Sequence, residues 1–453
     1  MNGELPPTWA QATIGDVAEV QLGRQRSPQH HAGEQMRPYL RSANVTWLGI
    51  DITDVNQMNF DDADFDKYRL DPGDLLLNEA SGSPNEVGKP AIWKGEIADC
   101  CFQNTLLRLR SSMINQTYLY WYCYRSALIG RFGAAGRGVN IRHLGKRGLA
   151  EFPIPVAPLS EQERIVAAIE EHFSRLDFAE AALDAARSKL QALRRSVLAA
   201  AFSGRLTNLN HTLDTDRGRL PGGWRLASIA DVAEVRLGRQ RSPRHHTGEQ
   251  MRPYLRAANV TWDGISLEDV KTMNFDDADF DRFRLTRGDI LLNEASGSPN
   301  EVGKPAVWGG EIEDCCFQNT LLRLRPRDLN GDYLYWYCYS SALSGRFGEA
   351  GRGVNIRHLG KRGLSQFPIP LGPRAEQERV VDAIEESLSR LDAAEATFDA
   401  VRSKMGAFRR SVLAEAFAGR LVPQNSDDEP AAALLARIAA EHPVRPTSRK
   451  RSK

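Results

Sequence analysis

No run of some eighteen uncharged apolar residues occurs in the 453-residue chain, so no membrane-spanning helix is expected. The opening stretch MNGELPPTW has no basic segment followed by an apolar one, which argues against a secretory signal and for a cytoplasmic protein. Cysteine is scarce: Cys100, Cys101, Cys123, Cys315, Cys316 and Cys338 make up the six. Adjacent cysteines lack the C-x-x-C spacing that wraps a zinc ion, and no paired histidines stand at ligand spacing beside them. They read as buried thiols of a reducing compartment, with no metal site. A surplus of either charge is also missing, with 59 Lys and Arg against 58 Asp and Glu.

Catalytic motifs are missing too. Asn78–Ala91, NEASGSPNEVGKPA, looks at first like a phosphate-binding loop, but five residues rather than four separate Gly82 from Gly88. Pro90 stands where a magnesium-binding hydroxyl is needed and has no amide hydrogen to give a phosphate. There is no Asn-Pro-Pro-aromatic motif of an amino-methyltransferase. Glu86-Val87-Gly88-Lys89 has one residue too many for a nuclease Glu-x-Lys, and Gly133, Gly136 and Gly138 miss the dinucleotide fingerprint. No serine, histidine and aspartate set announces itself.

What is present is a duplication. The fourteen letters of 78–91 return at 293–306, and the register holds from Trp9 and Trp224 to Leu206 and Leu421 with an offset of 215 (224 minus 9). Roughly three-quarters of the aligned positions are identical. That period is far beyond a solenoid unit of about 20–50 residues, so a whole domain and its sequel are repeated.

Each copy has two parts. The first is mixed, with β-rich runs such as Gly73–Leu77 and Phe102–Leu109 between turn residues, and a helix expected over 117–130. Phe152-Pro153-Ile154-Pro155 and Pro158 close it. The second part is a long helix whose start, Ser160-Glu161-Gln162-Glu163, has the capping-box form. Ile165, Ile169, His172, Leu176, Ala179, Leu183, Ala186, Leu190, Leu193 and Val197 then recur by four and three, a heptad seam broken only by His172. The second copy matches it from Val380 to Val412, with Ser387 in the layer of His172. A helix over 160–202 is roughly 60–65 Å long. Each seam needs a partner, and the other copy is the simplest one.

The expected divisions are 1–158, a helix over 159–206, a linker over 207–219, 220–373, a second helix over 374–421, and a tail over 422–453 with a helix at 430–441 and a basic end.

The near-zero net charge hides segregation. Residues 21–45 hold Arg24, Arg26, Arg37 and Arg41 against Glu34, and residues 131–147 hold five cations and no acid. Residues 51–74 carry eight aspartates. A local basic face can bind phosphates while an acidic one cancels the sum. Gly23-Arg24-Gln25-Arg26 offers guanidinium and amide groups suited to guanine and adenine in the major groove, as do Arg41 and Asn44. The glycines of 136–147 let Arg137, Asn140, Arg142 and Lys146 approach a backbone and release counterions. Asn78 and Ser81 belong to a polar turn that can enter a groove. The second copy repeats the set as Arg239, Gln240, Arg241, Arg256, Asn259, Asn293, Ser296, Arg352, Asn355, Arg357 and Lys361.

The order of domain, EQER-type helix, second domain and second helix resembles the specificity subunits of type I restriction–modification enzymes. So do LPxxW at Trp9 and Trp224, YLRSANV and YLRAANV, FPIP before SEQER and AEQER, and RRSVLAAAFSGRL beside RRSVLAEAFAGRL. The resemblance implies an α+β chain: two similar target-recognition domains joined by two long antiparallel coiled-coil helices, a pseudo-twofold tandem duplication. It implies a non-catalytic role on double-stranded DNA. It also implies two methyltransferase subunits and motor–nuclease subunits as partners. S-adenosylmethionine, ATP and magnesium would belong to those partners, with no cofactor in this chain. Family members have recognition domains that differ from each other, whereas these two nearly match, so a gapped, near-palindromic target is expected. A stand-alone DNA-binding regulator and an enzyme in its own right are the rival readings.

Overall fold

The computed structural model describes residues 4–138, 140–203, 206, 220, 222–353 and 355–441. The chain divides into two units. Unit 1 holds residues 1–181 and 401–453, and unit 2 holds 182–400. The expected linker at 207–219 and the basic end lie outside the described residues.

In unit 1 the centre is an antiparallel four-stranded sheet ordered Glu19–Leu22, Leu106–Arg110, Leu75–Asn78, Pro90–Ile92. Leu75, Leu77, Leu107 and Leu109 alternate into the main core, while Leu76 and Leu106 face a second, smaller core with Leu40, Trp93 and Phe102. This explains why both faces of these strands are apolar: neither meets water. A three-stranded sheet carries Met36–Leu40 between Asn56–Asn59 and Cys101–Phe102. Pro153–Val156 pairs with Ala10–Thr13 in a separate two-stranded ribbon, where prolines remove no central ladder bond.

The expected helix at 117–130 is Gln116–Leu128, capped by Asn115, whose Oδ1 accepts from the amides of Thr117 (2.9 Å) and Tyr118 (3.0 Å). It buries Tyr118, Leu119, Tyr122 and Cys123. The expected unbroken run Phe102–Leu109 is instead two strands separated by a turn at Gln103–Thr105, with the Leu106 amide donating to the Gln103 carbonyl (2.9 Å). The second unit repeats this architecture, with its four-stranded sheet Ala233–Leu237, Leu321–Pro326, Ile290–Asn293, Pro305–Val307.

The long helices are Leu159–Ala201 and Arg374–Ala416. Within each unit they run antiparallel. In unit 2, Arg187 meets Asp399 (2.6 Å) and Arg194 meets Asp392, while in unit 1 Arg409 meets Asp177. The seam departs from the heptad expectation. Ile165, Ile169, Leu190, Val380, Ile384, Met405 and Val412 of the seam are buried, but Leu193, Val401 and Phe408 stay exposed. Charged pairs flank the seam: Arg187, Arg194 and Arg409 stand beside the seam positions, not in them. His172 sets its ring edge-on against Phe408 at 5.8 Å between centroids. Ser160 does not cap: the helix begins one residue earlier, and its hydroxyl donates to Asp428 of the tail (2.6 Å).

Phe417, just past the second helix, lies between Tyr118 and Tyr122 of unit 1, at 5.1 and 5.2 Å. Phe202 does the same to Tyr333 and Tyr337 in unit 2, at 5.3 and 5.2 Å. The tail then straps unit 1. Gln424 donates to the buried Glu161 carboxylate (2.6 Å), Arg164 pairs with Asp428 (2.6 Å), and the helix Ala431–Glu441 buries Ala431, Leu434 and Ile438 against the domain. All six cysteines are free and buried, and burial pushes the Cys100, Cys101, Cys315 and Cys316 thiols up to about 12. No described helix is long and apolar enough to cross a membrane.

Candidate nucleic-acid interface

Three segments distant in sequence meet in unit 1. Glu79 follows the central strand, and its amide donates to the Thr105 carbonyl (2.9 Å) while its carbonyl accepts from Leu144 (2.9 Å). Its carboxylate takes the Gly145 amide (3.2 Å) and lies 3.0 Å from Nδ1 of His143. Ala80–Ser81 pairs with Arg142–His143, and the Arg137 and His143 backbones bond reciprocally at 3.0 and 2.8 Å. The glycine-rich basic stretch is therefore a closed hairpin. Gly138 sits at φ +114°, and a side chain there would strike the Ile141 carbonyl at 2.1 Å. On the other side, the Asn104 amide donates to the Arg24 carbonyl (2.9 Å), bringing the 23–26 loop alongside.

This gathering exposes Gln25, Arg26, Arg137, Asn140 and Lys146, with Ser81 and Arg142 half-exposed. Arg26 donates to the His31 ring (3.2 Å), Arg142 to the Gly133 carbonyl (3.3 Å), and Lys146 to Oε1 of Gln21 (3.5 Å). In unit 2, Gln240, Arg241, Arg352, Asn355 and Lys361 are exposed in the same way, with Ser296 and Arg357 half-exposed.

Several expected readers are corrected. Arg24 is buried over the Phe60 ring, with its guanidinium bound to the Asn59 carbonyl and the Asp64 carboxylate. Arg239 makes the same contacts with Phe275, Asn274 and Asp279. Asn44 is buried, its Oδ1 accepting from the Arg41 amide (3.0 Å) and its Nδ2 donating to Asp51 and Asp54 carbonyls at 2.8 and 2.9 Å. Asn259 is buried in the same way. Arg41 pairs with Asp54 (2.5 Å) and Arg256 with Asp269. Asn78 and Asn293 are buried beneath the loops. The acidic stretch thus neutralises much of the first basic one, and positive charge concentrates in the 136–147 hairpin.

The fourteen-letter motif has a structural use. Glu86 accepts from Nε1 of Trp47 (2.7 Å) and from Lys89, locking the loop to the 45–50 hairpin. Burial raises the Glu86 carboxyl pKa, but donation from Lys89 and Trp47 outweighs it and the net shift is down. Lys89 is engaged there and is no phosphate ligand in this arrangement.

Sequence reading missed Gln103 and Asn104, and with them Gln318 and Asn319. They were placed inside a continuous strand, yet they form the half-exposed turn at the centre of the gathering. Two successive amide residues between apolar runs are the signal that marks such a turn.

Residues 6–185 match the family model for the type I restriction modification DNA specificity domain. The match covers the first copy of the repeat and the start of its long helix, Leu159–Ala201. Over its whole length the chain is 24% identical to the type I restriction enzyme StySPI specificity subunit of Salmonella potsdam, covering 100% of each. It is also 24% identical to the EcoKI specificity subunit of Escherichia coli, over 99% of each chain. Among solved structures, one described as the structural basis of complex assembly and conformational transition of the type I R-M system superposes with a TM-score of 0.68 at 18% identity. It spans 92% of this chain and 100% of that one. The HsdS subunit from Thermoanaerobacter tengcongensis gives 0.55 at 20% identity, over 92% and 99%. Residues 6–185 thus carry a match to the type I DNA specificity domain, and the whole chain is similar to specificity subunits of type I restriction enzymes.

Proposed function

We propose that the chain selects a gapped, bipartite site on double-stranded DNA, each unit reading one half through its clustered loops. The carrying observation is that the loops gathered at 23–26, 78–82, 103–105 and 136–147 are letter-for-letter identical in the two units. Identical readers take identical half-sites, and a palindromic target presents these as inverted copies. The long helices then set the gap. Imperfect symmetry comes from Gln21, which faces Lys146, becoming Arg236, which folds onto Glu234 (2.9 Å). Gln29 to Arg244 and Ala32 to Thr247 are further differences near these loops.

Two methyltransferase subunits dock on the helices and domain flanks, with motor–nuclease subunits beyond them in a restriction complex. Exposed Phe178, Leu193 and Phe408 supply apolar area for such docking. S-adenosylmethionine, ATP and magnesium lie with those partners. The test is single-molecule sequencing of N6-methyladenine in a host with and without the gene. A gapped motif that loses methylation on deletion supports the reading. An unchanged methylome, in a host expressing the methyltransferase, turns it to a stand-alone DNA-binding protein.

A further inference from the structure

The Gln103–Thr105 turn is anchored on every side by its backbone. Gln103 donates its amide to the Leu40 carbonyl (2.9 Å), Asn104 to Arg24 (2.9 Å), and the Glu79 amide donates to Thr105 (2.9 Å). The Ser42 amide donates to Oγ1 of Thr105 (3.0 Å). Gly23 packs so closely that a Cβ there would lie 2.2 Å from the Gln103 carbonyl oxygen. The second unit repeats these bonds: Gln318 to Leu255 (2.9 Å), Asn319 to Arg239 (3.0 Å) and Glu294 to Thr320 (2.9 Å), and a Cβ on Gly238 would lie 2.2 Å from the Gln318 carbonyl oxygen.

Against this rigid frame, the side-chain amides of Gln103, Asn104, Gln318 and Asn319 make no hydrogen bond with any described residue, and all four are half-exposed. A turn held this firmly loses little entropy when it binds, and its free donors and acceptors need a partner. The cation of Arg26 lies on a loop bonded to this turn, and those of Arg137 and Lys146 lie on the hairpin bonded to Glu79, whose amide donates to Thr105; Arg24 is neutralised by Asp64. Exposed cations and unpartnered neutral amides thus lie on segments joined by backbone hydrogen bonds. Separating contacts that carry sequence information from contacts that only position the duplex is the division of labour such interfaces use.

We infer that Gln103 and Asn104, with Gln318 and Asn319, are specificity-determining residues that read adenine in each half-site, the pairing an amide makes with adenine N6 and N7. The inference rests on the proposed function and fixes which residues of the interface carry it.

The test changes one unit only. Gln103→Glu replaces an amide donor with an acceptor, which suits the cytosine amino group and not adenine. The full-length variant is expressed with its methyltransferase in a host lacking the gene, and the methylated motif is determined. The expected result is a changed or relaxed base at one position of one half-site, with a loss of about 10-fold or more at the original base, while the half read by unit 2 stays as in the wild type. A wild-type motif in both halves overturns the inference. If Gln103→Glu abolishes all methylation, Gln103→Met, of similar length and uncharged, decides: relaxation at that one position supports the inference, and an unaltered motif overturns it. If the wild-type gene itself confers no methylated motif, the specificity-subunit reading has failed, whatever the variants do.

Discussion

In unit 1 the face made by residues 10–17 and 111–114 lies under the tail helix, with Met113, Leu435 and Ile438 packed into its core. In unit 2 the matching face carries Arg225, Leu226, Arg327 and Asp328, all exposed, and among the described residues no helix covers it. The corresponding letters of unit 1 are Ala10, Gln11, Ser112 and Met113. The two copies have diverged where one of them acquired an intramolecular partner, and have stayed identical in the loops at 23–26, 78–82, 103–105 and 136–147. Packing separates the copies here, whereas recognition, on the account proposed, keeps them alike.

The comparison can be broken most severely at the aromatic anchors. Phe417 is fully buried, while its counterpart Phe202 is half-buried. Phe417→Ala is expected to destabilise unit 1 by about 3–4 kcal/mol, with a smaller loss in unit 2 from Phe202→Ala. Denaturant unfolding of the two variants, followed by hydrogen exchange in each unit, measures the difference. Equal losses would mean that the two helix ends are docked equivalently.

Next comes the tail helix. Ile438→Ala removes a buried side chain and should cost about 2–3 kcal/mol of local stability. Amide protection should fall in residues 10–18 and 111–114 and remain in 225–233 and 326–329. A uniform fall across both units would deny that the strap is local.

Acid should distinguish the units as well. Donation from Arg164 and then Ser160 holds the Asp428 carboxyl below its ordinary range. A depressed carboxylate stabilises the fold above its unfolded pKa, and that contribution is lost as pH falls through the lower folded value. The Glu86 and Glu301 loops share this direction in both units, so they fade together; the strap pair is an extra loss for unit 1. Asp428→Asn should flatten the acid dependence of unit 1 protection and leave unit 2 unchanged, as read by exchange between pH 5 and pH 3.

The smallest effect concerns the loops. Combining Gln21→Arg, Gln29→Arg and Ala32→Thr gives residues 19–41 of unit 1 the letters of 234–256 in unit 2. Any asymmetry between half-sites should shrink, with little change in thermal stability. Profiling the methylated motif checks this.

Much of the architecture was legible in the letters. The duplication, the two long helices and a helix near 117–130 all follow from spacing and punctuation; the cap at Asn115 came from the structure. The interface was harder to read because burial there is decided by pairings across long separations. Arg24 looks like a free guanidinium until Asp64, on a helix forty residues along, closes on it. Asn44 looks like a base reader until the Asp51 and Asp54 carbonyls take its amide. Conversely, Gln103 and Asn104 were hidden inside an apolar run because Leu106 and Leu107 continue the strand pattern beyond the turn. The seam failed in part because charged pairs such as Arg194 with Asp392 fasten the helices at positions that heptad spacing ignores.

The most direct measurement is selection of bound DNA from a random pool by the reconstituted subunit and methyltransferase complex, followed by sequencing. The account predicts two half-sites that are inverted copies, each containing adenine, separated by a fixed gap. Two unrelated half-sites would contradict it.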